Sequence, residues 1–191
     1  MSGKNKRVFI IVVLVLFVHI IVFYFYLTDN NKNQAIQTAS QEFDYYQFKK
    51  FDLTKYDINS HIMLPDETSG IGTVFSPEML HDEGSHLWQL QSGRNFIIFI
   101  EDLGELRDIF QDFKNNLTKS TAFLISPIVN KDSMMVYSRS LSKQYQKVNT
   151  ETFHLFAVKQ IDGRLYQFRN REEGNTKAEI LFMQKSIESI K

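Results

Sequence analysis

The chain has 191 residues, with 22 basic and 22 acidic side chains, 43% hydrophobic residues and no cysteine. The lack of cysteine excludes disulfide scaffolds, thiolate zinc sites, iron–sulfur clusters and cysteine nucleophiles. The neutral charge gives no sign of a nucleic-acid-binding surface, and the hydrophobic content is too high for a disordered chain.

The first element along the chain is an apolar segment, residues 8–27, with the length of a transmembrane helix. Its sequence, VFIIVVLVLFVHIIVFYFYL, contains one clearly polar side chain, His19. About 20 apolar residues at a rise of 1.5 Å span the hydrocarbon core of a bilayer, and only a helix satisfies its own backbone there. The segment is therefore predicted to be a transmembrane anchor. We interpret His19 as a tolerated neutral imidazole, since the segment holds no partner for a proton site.

The charges on either side of this anchor predict its orientation. The only charged residues before residue 28 are three bases, Lys4, Lys6 and Arg7. Residues 28–191 carry 19 bases against 22 acids. By the positive-inside rule, residues 1–7 form a cytoplasmic stub and the C-terminal part is extracytoplasmic, which means periplasmic in a Gram-negative cell.

A cleaved signal peptide is the alternative interpretation of the same segment. Its apolar core is usually about 7 to 15 residues long, which is shorter than the run seen here. Residues 24–29, YFYLTD, also lack the small-x-small pattern that signal peptidase requires. The sequence therefore favours an uncleaved signal anchor in a single-pass membrane protein.

The remainder of the chain divides into a tether and one domain. Residues 28–42 are polar and rich in Asn and Gln, which is typical of a flexible tether. From residue 43 to residue 191 apolar and aromatic residues recur without another linker, and about 150 residues is the size of one domain with its own core.

The first half of this domain is predicted to be mostly strand and loop. Asp57–Leu64 is expected to be a short strand stopped by Pro65, and Asp66–Ser85 is expected to be mostly loop. His86–Gln91 and Asn95–Glu101 are separated by a Ser-Gly turn, which predicts a hairpin. Apolar residues on both faces of the second of these strands indicate a central position in the sheet.

The second half begins with a predicted helix over Leu103–Leu117, because its apolar residues recur at spacings of three and four. Three strands rich in aromatic and β-branched residues follow. They are Thr121–Ser126, ending before Pro127, Met134–Ser142 and Thr152–Gln160.

Two local signals close the chain. Asp162-Gly163 predicts a type I′ hairpin, because both central positions of that turn need positive φ. Thr176 and Glu179 have the spacing of a capping box, which predicts the start of a second helix. The buried stripe of this helix is expected to be Ile180, Met183, Ile187 and Ile190. The fold class predicted from these elements is α+β, with a mainly antiparallel sheet flanked by two amphipathic helices.

This order of elements resembles the PsbP/Mog1-like α/β/α sandwich, as in small uncharacterised envelope proteins of Gram-negative bacteria. The likeness rests on a strand ending in Leu64-Pro65, an antiparallel hairpin over His154–Phe168 and a closing helix over Thr176–Ile190. It covers about residues 45–191. The resemblance implies a binding or accessory module and supplies no catalytic residues.

The best candidate for metal binding is the run His81-Asp82-Glu83-Gly84-Ser85-His86. The spacing of its histidines matches no metal motif, so we interpret the run as a solvated loop. We predict no metal site, no cofactor and no catalytic residue, since nucleophile-elbow, Walker, dinucleotide-binding and HExxH motifs are all missing from the sequence.

Three further groups of polar residues have a structural and a functional interpretation. The carboxylate pairs Glu101-Asp102 and Glu172-Glu173 are expected to be solvated or to point to opposite faces. His154 lies in an aromatic strand and is expected to be a hydrogen-bonded structural histidine. Asn116-Leu117-Thr118 is a glycosylation sequon that matters only in a eukaryotic secretory pathway.

Basic residues also cluster around the final hairpin: Lys159, Arg164, Arg169 and Arg171. Alternation is expected to place Arg169 and Arg171 on one strand face. A patch of this kind docks an acidic partner or anionic headgroups, but the neighbouring glutamates favour a solvated sheet edge.

Two functional interpretations remain open. The first is a membrane-tethered module that binds another envelope protein or a small ligand, and an immunity or inhibitor protein against an envelope-acting toxin is one form of it. The second is an envelope enzyme with an unrecognised site, for which His81, Glu83 and His86 are the first residues to test. The missing nucleophile and metal signatures favour the binding module.

Overall fold

The structure, a computed structural model, describes residues 46–73, 76–82, 84–105, 109–142 and 151–191. These residues form nine strands and two α-helices. In chain order they are β1 (Phe48–Asp52), β2 (His61–Pro65), β3 (Glu78–His81), β4 (Leu87–Gln91), β5 (Ile97–Gly104), α1 (Ile109–Thr118), β6 (Phe123–Asn130), β7 (Met134–Leu141), β8 (Thr152–Ile161), β9 (Arg164–Arg169) and α2 (Lys177–Glu188).

Two sheets are present in this part of the chain. Seven strands form the main sheet in the order β3-β4-β5-β9-β8-β7-β6, and β1 pairs with β2 in a separate ribbon. Every pairing is antiparallel. The predicted α+β class, with a mostly antiparallel sheet and two helices, is confirmed.

Helix α2 lies on one face of the main sheet and contacts β8 there, while the β1–β2 ribbon packs on the helix through β2. Three residues of the predicted stripe, Ile180, Met183 and Ile187, have no exposed surface. Ile190 is also buried, but it lies after the helix has ended at Glu188. Burial of each such side chain contributes roughly 1.5–3 kcal/mol. The capping box is also present: Thr176 Oγ1 accepts from the Glu179 N–H, and Glu179 Oε2 accepts from the Thr176 N–H.

Buried amides attach the start of α2 to the sheet. Asn170 Nδ2 donates to Asn175 Oδ1 at 2.8 Å, and Asn170 Oδ1 accepts from the Leu155 N–H at 2.9 Å. Asn175 Nδ2 donates to Asn95 O and to Glu179 Oε2. Buried polar groups are stable only when they are hydrogen-bonded in this way, so the network fixes where the helix begins.

Helix α1 covers part of the opposite face. The ring of Phe113 stacks on Phe156 of β8 with 3.8 Å between centroids, and Phe110 packs on the same ring at 6.0 Å. Strand β8 is therefore covered on both faces, which explains its run of five buried residues from His154 to Val158.

The β8–β9 hairpin has the predicted turn. Asp162 and Gly163 have φ angles of 51° and 81°, as a type I′ turn requires. The predicted β4–β5 hairpin is present as well, and β5 lies inside the sheet between β4 and β9.

The start of the domain differs from the prediction. The predicted strand Asp57–Leu64 is wrong in its first half, because Asp57 has a left-handed φ of 63° after a short 3-10 helix and β2 begins only at His61. Strand β1 was not predicted at all. The predicted loop Asp66–Ser85 contains edge strand β3, which is stabilised by pairing with β4 rather than by its own short sequence.

Two boundaries in the second half also need correction. The predicted helix Leu103–Leu117 begins too early, because Leu103 belongs to β5, which stays paired with β9 as far as Gly104↔Leu165. Tertiary pairing overrides the helical periodicity there. The predicted strand Thr121–Ser126 ends too early, because β6 continues through Pro127 with a register shift before Val129. Proline is tolerated there because β6 is an edge strand.

The predicted anchor (residues 8–27) and tether (residues 28–42) lie outside the described residues, as does His19. Among the residues that the structure does describe, no helix combines the length and the apolar character needed to cross a bilayer.

Candidate binding cleft

Five parts of the fold meet at one end of the main sheet: the end of β5, the first turn of α1, the turn between β6 and β7, the β8–β9 hairpin and the residues that follow α2. They enclose a cleft of about 950 Å³. Small-ligand sites in proteins commonly measure roughly 300–1,000 Å³. The lining residues that carry side chains are Glu105, Ile109, Phe110, Gln111, Asp132, Ser133, Val158, Lys159, Gln160, Leu165 and Ile190.

The inner wall of this cleft is apolar. Val158 and Ile190 are buried, with 8% and 4% of their surfaces exposed, and Leu165 and Phe110 are half-buried. The hairpin ladder fixes the backbones of Val158 and Leu165, and the contact between the Phe110 and Phe156 rings fixes the Phe110 side chain. The wall therefore provides apolar contact area on rigid elements.

The rim of the cleft is polar and carries negative charge. Glu105 and Asp132 are exposed, and neither forms an ion pair with any residue in the described ranges. Gln111 and Gln160 add exposed amides. An apolar wall with a few polar groups at its edge is the usual composition of a ligand site.

The one basic side chain in this lining is already occupied. Lys159 Nζ donates to Ile190 O at 2.7 Å and to Glu188 O at 3.4 Å, so it caps the carbonyl end of α2. Burial lowers the pKa of Lys159, and the nearby Glu188 carboxylate partly opposes that shift. The hydrogen bonds of Lys159 thus go to carbonyls at the helix end and not to the Glu105 or Asp132 carboxylate.

Two glycines shape the mouth of the cleft. Gly104 follows the irregularity at the end of β5 with a φ of 64°, and Gly163 forms the hairpin turn. A Cβ atom at either position would meet nothing within 4 Å. The glycines therefore serve the backbone turns and also leave the entrance open.

No protein-family model, curated protein or solved structure matches this chain. The resemblance to the PsbP/Mog1-like sandwich therefore stays a prediction.

The structure places the two histidines of the candidate metal run apart from the cleft. His81 ends edge strand β3, where its ring stacks on Trp88 with 4.8 Å between centroids and Nδ1 lies 3.1 Å from Leu87 O. His86 precedes β4, and Glu83 lies outside the described residues. Within the described ranges, no three His, Cys, Asp or Glu side chains are grouped so that they could hold a metal ion.

His154 has the environment of a structural histidine. It is 4% exposed, its Nε2 lies 2.9 Å from Thr152 Oγ1 and its ring stacks on Tyr137. Burial and, to a lesser degree, the charge of Arg139 lower its pKa to about 4. The imidazole is therefore neutral at physiological pH and lies away from the cleft.

The adjacent carboxylates have separate partners. Asp102 forms an ion pair with Arg164 at 2.7 Å and accepts the Gly104 N–H, whereas Glu101 accepts from the Gln167 side chain. Glu172 and Glu173 are exposed in the turn after β9. Within each pair, the two carboxylates do not face a common site where they could act together.

The four basic residues of the last hairpin do not form one patch. Arg169 lies over the ring of Phe99, Arg171 donates to Gly174 O, and Arg164 and Lys159 have the partners given above. The expected shared strand face of Arg169 and Arg171 is wrong, because β9 ends at Arg169.

The cleft itself was not predicted from the sequence. Its residues come from five separate stretches of the chain, and none of those stretches contains a known motif. The only local signal was the change from an apolar run to Lys159-Gln160 just before the Asp162-Gly163 turn, which marks where β8 leaves the core.

Proposed function

We propose that this chain is a single-pass membrane protein whose extracytoplasmic domain, residues 43–191, is a binding module. Residues 8–27 insert in the lipid bilayer, the stub 1–7 is cytoplasmic, and residues 28–42 tether the domain to the membrane surface. The length of the apolar segment and the bases before it support this topology.

The observation that carries the binding function is the cleft beside the β8–β9 hairpin. It joins a rigid apolar wall to a rim with two carboxylates, Glu105 and Asp132, that form no ion pair within the described ranges, while Lys159 donates its hydrogen bonds to the end of α2. This combination suits a ligand with an apolar body and a basic group, such as an exposed segment of another envelope protein that carries Lys or Arg. An immunity or inhibitor protein is one form of such a module.

The enzyme alternative has less support from the described residues. It requires His81, Glu83 and His86 to act together, but His81 is engaged by Trp88 and by the Leu87 carbonyl. The described part of the chain therefore favours binding over catalysis.

Site-specific photo-cross-linking in intact membranes tests the proposal. A photoreactive amino acid replaces Gln160, which is exposed at the cleft, or Lys177, which is exposed on the first turn of α2 and serves as the control. We expect a defined partner adduct at position 160 only. The double variant Glu105→Gln/Asp132→Asn should lower its yield several-fold, because a basic partner group loses both countercharges.

Mass spectrometry of the adduct identifies the segment of the partner that lies in the cleft. A lysine or arginine next to the cross-linked site agrees with the proposal. The same adduct at both positions, or a yield that the double variant leaves unchanged, would show that the cleft is not the binding site.

A further inference from the structure

The main sheet ends in an unusual edge strand, β6. In the described part of the chain β6 pairs with β7 alone. Its eight residues, FLISPIVN, include no charged side chain. Two of the five exposed large hydrophobic side chains in the described ranges lie on it, Leu124 at 52% and Ile128 at 40% exposure. Edge strands normally carry charges that prevent pairing with another strand, and β6 does not.

The hydrogen-bonding pattern shows which backbone groups face outward. Ser142 N–H donates to Ala122 O, and Val158 N–H donates to Ser133 O on the other side of β7. The backbone groups of even-numbered residues in β7 therefore form hydrogen bonds with β6. Their partners in β6 are also even-numbered, because Leu124 lies opposite Ser140 and Ser126 lies opposite Ser138. By the alternation of an antiparallel ladder, the N–H and C=O groups of Phe123 and Ile125 point to the free edge.

These outward groups are self-complementary. In an antiparallel pair of two β6 strands, Phe123 of each copy faces Ile125 of the other, and the two-fold axis passes Leu124. Each of these two pairs exchanges two backbone hydrogen bonds, about four in total. The Leu124 side chains of the two copies then face each other in a non-hydrogen-bonded position, with Cα atoms about 4.5 Å apart. Pro127 has no N–H and the bulge after it bends the edge, so the ladder ends there.

We propose that two copies of this chain associate through β6, so that their main sheets join into one continuous antiparallel sheet. A second copy fits better than a free peptide, because a ladder of only about four backbone hydrogen bonds is a small contact for a partner that must bind from solution. Copies held on one membrane have the high effective concentration that such a short contact needs. The proposal thus rests on the proposed anchor. Strand β6 itself contributes no charged side chain, so like charges do not face each other directly across the two strands, and the nearby Arg139 guanidinium of β7 lies over the Phe123 ring.

Cysteine cross-linking of the full chain in its native membrane tests this pairing, because the chain has no cysteine of its own. Leu124→Cys should form a disulfide-linked dimer under mild oxidation, since the distance between the two copies lies within the roughly 4.4–6.8 Å that a disulfide tolerates. Ser126→Cys on the same strand should not, because its two copies would be offset by four residues and lie about 14 Å apart at 3.4 Å per residue. Leu80→Cys on edge strand β3, at 51% exposure, is the matched control for exposure and should stay monomeric.

A dimer yield at least fivefold higher for Leu124→Cys than for both controls supports the proposal. Equal yields for the three variants indicate random collision and overturn it, as does the lack of a dimer for Leu124→Cys. The fluorescence of Trp88 reports whether each variant is folded. A membrane pellet that retains the chain without the dimer contradicts the pairing alone, whereas loss of the chain from the pellet contradicts the anchor and the pairing together.

Discussion

Gly174, just before α2, is expected to tolerate substitution much less well than Gly163 does. Its φ is 83°, and an added Cβ would lie 2.6 Å from Thr152 Cβ and 2.8 Å from His154 Nε2. Gly163, in the turn between β8 and β9, has a nearly equal φ of 81° but no atom within 4 Å of its Cβ position. An alanine at either position therefore has the same backbone strain, but only at position 174 does its Cβ atom also clash with neighbouring atoms.

The two costs can be separated in magnitude. Left-handed strain costs about 1–2 kcal/mol for a residue with a Cβ, and overpacking adds about 1–3 kcal/mol. We expect Gly163→Ala to lower the free energy of unfolding by about 1–2 kcal/mol and Gly174→Ala to lower it by about 2–5 kcal/mol.

Equilibrium urea unfolding of the full chain in detergent micelles measures both values. The single tryptophan, Trp88, is 7% exposed and reports the loss of the core. If Gly174→Ala destabilises the domain no more than Gly163→Ala does, the close packing of Gly174 on β8 is wrong.

Three further outcomes follow from the same contacts. His154 has its pKa lowered to about 4, so the unfolded chain binds more protons than the folded one between about pH 4 and its ordinary value near 6.5. The free energy of unfolding is therefore unaffected by His154 above that range and falls as the pH drops through it, by at most about 3 kcal/mol at 1.36 kcal/mol per pKa unit. Unfolding curves at pH 7 and pH 4.5 should show a smaller pH dependence for His154→Asn than for wild type. An equal pH dependence would contradict the buried neutral imidazole. Asn175→Ala leaves buried groups unpaired and should cost about 2–4 kcal/mol, well above the exposed control Asn59→Ala, and similar urea midpoints for the two would refute the network. Thr176→Ala removes the N-cap of α2 and should cost about 1 kcal/mol, which a thermal melt detects, and an unchanged melt would argue against the capping box.

Local chemistry explains which parts of the fold could be predicted from the sequence. The Asp162-Gly163 turn and the Thr176 capping box are specified by a few adjacent residues, and both were predicted correctly. The stripe of α2 was also correct, because a helix whose one face is buried shows its period directly in the sequence.

The errors arose where pairing with a distant strand decides the structure. Leu103 continues a helical pattern but lies in β5, because β9 extends its ladder to Gly104. Strand β3 has only four residues and takes its conformation from β4. Such tertiary contributions leave little trace in a short window of sequence.

The cleft could not have been found in the same way. Glu105 and Asp132 come together with Leu165 only after β5, β7 and β9 have taken their places in the sheet. In the sequence Glu105 falls inside the predicted helix Leu103–Leu117, and Asp132 is an isolated acidic residue between two predicted strands, so neither residue marks a binding site.

The anchored topology is the claim on which both the proposed function and the β6 pairing depend. It is tested most directly by the intact mass of the chain recovered from membranes after an alkaline carbonate wash. We predict the uncleaved chain of 22.5 kDa in the pellet, because residues 8–27 remain in the bilayer. A shorter species that begins near residue 30, or recovery of the chain in the supernatant, would contradict the anchor.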